Sequence, residues 1–98
     1  MSLPRGQLAL RIRGTLTREE GRRLREDLQR GLHRGLRAFS LDLSEVDFVD
    51  SSGLAALVSL RKAARNEDFE LSVETPSATL ARLLEMTRLD GFVLDQMD

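Results

Sequence analysis

Three segments of this 98-residue chain alternate in polarity, and each is followed by a stretch with helical spacing. Leu8-Ala9-Leu10-Arg11-Ile12-Arg13 predicts a strand with one wet face, which Gly14 is expected to end. Thr15 or Thr17 can cap the following helix, and Glu20, three residues after Thr17, completes a capping box. Leu24, Leu28 and Leu32 fall on one side of that helix, which runs to about His33. Gly21 and Gly31 each weaken it by about 1 kcal/mol relative to Ala. Gly35 is the expected stop, and His33 suits the negative end of the helix dipole.

The second strand is predicted over 38–43, with Phe39, Leu41 and Leu43 opposite Ser40 and Asp42. A short acidic loop and Asp50-Ser51-Ser52-Gly53 lead into a helix reaching about Arg65. Leu54, Leu57, Val58, Leu60 and Ala64 share its apolar arc, while Ala55, Ser59, Lys62 and Asn66 face away. The third strand, over 69–74, alternates Phe69, Leu71 and Val73 with Glu70, Ser72 and Glu74. Thr75-Pro76-Ser77 opens a third helix with Leu80, Leu83 and Leu84 inward, stopping near Asp90-Gly91. Phe92-Val93-Leu94 reads as a short final strand or extended tail.

The order β-α-β-α-β-α-β with short connections predicts a mainly parallel four-stranded sheet. A parallel sheet covered on both faces reads as continuous apolar runs, and these strands alternate instead. The expected fold is therefore a two-layer α/β domain, single over 1–98, with helices on one face. Arg11, Arg13, Ser40, Asp42, Ser72 and Glu74 should lie on the open face, and Leu10, Ile12, Leu41, Leu43, Leu71 and Val73 beneath the helices. Helix N-termini gather beyond the carboxyl ends of such strands. Thr17, Ser51 and Ser77 should thus share one edge, where the function is expected.

Charge adds a polarity to this picture. Residues 1–40 hold ten arginines against four carboxylates, and 41–98 hold five basic and twelve acidic residues. Such halves either pair with each other or steer a partner. The arginines of the first helix read as a solvated face, since no aromatic stands among them to stack on bases. No cysteine is present and His33 is the single histidine, so no metal or cofactor is expected. No apolar run is long enough for a membrane span and no apolar signal segment opens the chain, so a cytoplasmic location is expected.

Asp and Ser are helix-capping types, and the end they cap favours anions. One reading of residues 50–53 is a cap and nothing more. Ser51 has no candidate base, G-x-S-x-G is absent, and an enzyme is not expected. The remaining reading is that a serine is itself modified, adding about −1.5 to −2 charges without unfolding the domain.

The stretch 41–57, LDLSEVDFVDSSGLAAL, resembles the D-S-S/T-G-L signature of STAS domains, the fold of bacterial anti-sigma factor antagonists. Residues 75–94, TPSATLARLLEMTRLDGFVL, resemble the family's third helix and closing strand, and Gly14-Thr15-Leu16-Thr17 its G-x-L-D. Thr17 stands where that motif has Asp, and Arg88 where a small residue is usual near the end of the third helix. The resemblance implies a cytoplasmic protein-binding module in bacterial transcription regulation. Its partner is an anti-sigma factor that is also a serine kinase, with a phosphatase reversing the modification. It implies phosphorylation at Ser51, with Ser52 as runner-up, and partner contact through Val49, Asp50, Ser51, Ser52, Gly53, Ala55, Ala56 and Ser59. It implies neither nucleic-acid binding nor direct membrane insertion. The alternative is a non-phosphorylated STAS subunit of a lipid-transport ABC complex or signalling scaffold.

Overall fold

The structure, a computed structural model, describes residues 7–74 and 76–93. The expected lead-in over 1–6, Thr75 at the opening of the third helix and Leu94 of the expected closing strand lie outside them. The order is β1 (Gln7–Leu16), α1 (Arg18–His33), β2 (Ala38–Val49), α2 (Ser51–Glu67), β3 (Glu70–Val73), α3 (Ala78–Met86) and α4 (Asp90–Val93). The sheet is parallel, with β2 between β1 and β3.

Among the described residues the sheet has three strands, not four. Where a closing strand was expected, Val93 ends a single helical turn, and its N–H donates to the Leu89 carbonyl. The second correction concerns β1 and β2, which run further than expected. Gly14 does not end β1: it takes φ +80 and the strand continues to Leu16. The expected acidic loop is instead the continuation of β2. The register steps from Arg11↔Asp42 to Arg13↔Glu45, and from Gly14↔Val46 to Thr15↔Phe48. At each step β2 carries one residue more than β1, a bulge that breaks the alternation. Inward positions consequently pass from Leu43 to Val46.

One side of the sheet is covered. Phe39, Leu41, Leu43, Leu71 and Val73 are buried with Leu24 and Leu28 of α1, Leu57 and Leu60 of α2, and Leu80 and Leu84 of α3. Leu10 and Ile12 on β1 are half-buried against this core. On the open face Arg11 pairs with Asp42 at 3.1 Å and Arg13 with Glu45 at 3.3 Å, each with its register partner. The basic and acidic halves of the chain thus meet in part across the sheet.

The glycines of α1 have a packing reason. A Cβ on Gly31 would lie 2.7 Å from the buried Phe39 ring, and one on Gly21 would lie 2.6 Å from the Ala56 Cβ. Gly21 therefore lets α1 and α2 approach, against the helix propensity it forfeits. Within α2 a charged residue joins the buried arc: Arg61 is 7% exposed. Its Nη1 donates to the Leu71 carbonyl of β3 at 2.9 Å, and its Nη2 to the Val93 carbonyl of α4 at 2.8 Å.

Candidate functional site

The bulged end of β2 delivers Val49 to Asp50, whose extended backbone (φ −106, ψ −179) makes it the N-cap of α2. Its Oδ1 accepts from the Gly53 N–H at 2.9 Å, and its own N–H donates to the Leu16 carbonyl at 3.4 Å. The cap is thus supplied by the aspartate alone. Ser51 and Ser52, the first two helical residues, are exposed, and neither hydroxyl is engaged in a hydrogen bond among the described residues. Gly53 is buried directly against the backbone of Leu16, so the third residue of α2 also fixes how closely the helix meets the end of β1.

The N-terminus of α1 adjoins this point. Thr17 is its N-cap, and the Glu20 carboxylate accepts from the Thr17 N–H at 3.0 Å and the Thr17 hydroxyl at 2.7 Å. These bonds, led by the Thr17 hydroxyl, lower the Glu20 pKa to about 2. Thr17 occupies the place of the signature's aspartate, yet Glu20 restores a carboxylate there. Thr17 and Ser51 adjoin one another on the expected edge, and the start of α3 after Ser77 faces the end of β2, where Ala78 and Thr79 line a groove with Val49. Ser77 caps α3 by accepting from the Leu80 N–H at 3.1 Å, and its N–H donates to Leu43.

Two grooves flank the start of α2. One, of about 430 Å³, lies between α1 and α2 and is lined by Arg18, Arg22 and Arg25 opposite Ser52, Ala55 and Ser59. The other, of about 540 Å³, is more apolar and is lined by Ser51, Leu54, Val58, Lys62 and Leu89, with Ala55 and Ser59 on the shared ridge. The two serines therefore open onto different grooves. Leu54 and Val58, expected in the core, are half-buried walls of the second groove. Ala56, expected on the exposed side of α2, is instead 8% exposed against Gly21. Ala55 and Ser59 are exposed and Val49 is half-buried.

Some of the residues lining grooves were not expected from the sequence. Arg18, Arg22 and Arg25 were legible only as a solvated helix face, although their i, i+4, i+7 spacing places them on one side. Phe48 and Met86, 53% and 73% exposed, line a third groove between β2 and α3. Among the described residues no group of three His, Cys, Asp or Glu could hold a metal ion, and no helix is long and apolar enough to cross a membrane.

A strand ending in an aspartate cap, two exposed serines and a glycine pressed on the neighbouring strand together form the start of α2. Residues 1–95 match a family model described as "Mlab, STAS domain". The chain belongs to the STAS domain family and is a regulatory or protein-interaction module.

Proposed function

We propose that this chain is an anti-sigma factor antagonist. In this reading its α2 edge binds an anti-sigma factor that is also a serine kinase, and phosphorylation of Ser51 ends the complex until a phosphatase restores it. Its role is binding, not catalysis. The observation that supports this reading is the division of labour at residues 50–51: Asp50 makes the cap, leaving the Ser51 hydroxyl exposed and unspent. A phosphate on the first helical residue would stand beside the N–H groups of the first turn, so the domain can stay folded. It would also put a dianion next to Asp50 at a contact surface, where like charges oppose docking.

Incubation with the candidate kinase and ATP should place phosphate on Ser51 by mass spectrometry. Ser51→Asp should bind that kinase at least tenfold more weakly, about 1.4 kcal/mol, and Ser51→Ala should bind constitutively. Phosphate on Ser52 alone, or undiminished binding by Ser51→Asp, would refute the switch.

The description of the matching family model, which names Mlab and no sigma-factor regulator, favours a second reading. That reading is the non-phosphorylated STAS subunit of a lipid-transport ABC complex. It requires co-purification with transporter subunits and a Ser51 that stays unmodified in the cell.

A further inference from the structure

We propose that the groove between α1 and α2 seats an acidic helical segment of the partner protein, held by Arg18, Arg22 and Arg25. The inference deepens the proposed function, because Ser52, Ala55 and Ser59 of the expected contact form the opposite wall.

The three arginines repeat at i, i+4 and i+7, so their side chains follow one flank of α1 over about 10 Å. Arg18 and Arg25 have no ion-pair partner among the described residues. Arg22 has one, Glu19 at 2.9 Å, and both side chains are more than half exposed. A pair so exposed contributes about 0–1 kcal/mol and is readily exchanged for an incoming carboxylate. The opposite wall carries no charge and no large side chain, so a backbone can approach it.

A helix with carboxylates at the same i, i+4, i+7 spacing matches this row in charge and in period, and guanidinium–carboxylate pairing is geometrically specific. Nucleic acid fits less well. No aromatic lines the groove to stack a base, and Glu19 and Glu26 interrupt the positive flank. A membrane surface would need apolar side chains here, and the exposed Phe48 and Met86 belong to another groove.

The test uses the full chain and a fluorescent synthetic alanine-based helix carrying Glu at i, i+4 and i+7. Saturable binding that weakens as salt rises is expected. Arg18→Glu/Arg25→Glu should weaken it at least tenfold with an unchanged melting curve. Arg23→Glu/Arg37→Glu, equal in net charge and outside the groove, should stay within twofold of the parent. Four results would overturn the proposal: no saturable binding up to millimolar peptide, equal losses in both double variants, tighter binding of a single-stranded oligonucleotide through the same arginines, or self-association that Arg18→Glu/Arg25→Glu abolishes. The Ser51 switch fails or stands separately, since its readout is kinase binding and not peptide affinity.

Discussion

Gly53 of α2 lies against the carbonyl of Leu16, so closely that a Cβ on the glycine would stand 1.9 Å from the carbonyl oxygen and 2.7 Å from its carbon. These are backbone atoms at the end of β1, and they cannot rotate away. Gly53→Ala should therefore lose at least about 2 kcal/mol, within the usual cost of overpacking. For a domain of this size that lowers the melting temperature by about 10 °C. A melting temperature within a few degrees of the parent would show that α2 can lift off β1 at little cost.

The contact between Gly21 and Ala56 permits a double-mutant cycle. Gly21→Ala gains about 1 kcal/mol of helix propensity. It also sets two Cβ atoms 2.6 Å apart, and neither has a rotamer by which to escape. The single variant should be net destabilised, by about 1 kcal/mol. Adding Ala56→Gly should recover part of the loss, with a favourable coupling of at least about 0.5 kcal/mol in urea unfolding. Strict additivity would mean that the helices do not pack at this spacing.

Acid should expose the contribution of Glu20. Its folded pKa of about 2 lies below its ordinary value of 4.5, so the folded state binds the proton less readily than the unfolded chain. The stabilisation is complete above about pH 4.5 and is lost as pH falls toward 2. Urea midpoints of the parent and of Glu20→Gln should differ at pH 6, draw together as pH falls from about 4.5, and converge only below the folded pKa of about 2. Because Asp42, lowered chiefly by hydrogen bonds from Ser44, titrates in the same sense in both proteins, the difference isolates Glu20. A gap that is independent of pH would assign the effect to packing.

Arg88 takes φ 60 at the turn after α3, at the position where the STAS signature carries a small residue. A left-handed conformation costs a residue with a Cβ about 1–2 kcal/mol. Glycine returns part of that gain through its more flexible unfolded chain. Arg88→Gly should thus stabilise by about 0.5–1 kcal/mol, a rise of a few degrees in melting temperature. Asp68, at φ 59 after α2, is a type that tolerates this conformation, so Asp68→Gly should gain less.

Elements governed by local chemistry were legible in the sequence. The alternation of Phe39, Leu41 and Leu43, the caps at Thr17 and Ser77, and the stop at Gly35 each rest on a few adjacent residues. What was not legible depends on the other side of a contact. Two bulges destroy the period of Ser44–Val49, so a strand resembles a loop. Val93, apolar and flanked by apolar residues, resembles a strand, but the turn at Arg88 and the bond to Leu89 coil it. Gly21 seemed a defect of α1 because Ala56 lies 35 positions away in the chain. At the candidate site, the helix start at residues 50–53 was readable from their types. The arginine wall was not, because only the approach of α2 turns a solvated flank into one side of a groove.

Arg61 gives the domain a single keystone with respect to opening. Its guanidinium, buried in α2, bonds to the carbonyls of β3 and α4 together, two segments not adjacent in sequence. Detaching either would remove one of the carbonyls that satisfy this buried guanidinium, which costs about 1–3 kcal/mol. Local unfolding of α4 alone is therefore suppressed, and amide protons of α2, β3 and α4 should exchange with solvent as one cooperative unit. The ridge of α2 that carries Ser51 accordingly belongs to that cooperative unit, so the docking and modification proposed there would act on a fixed surface.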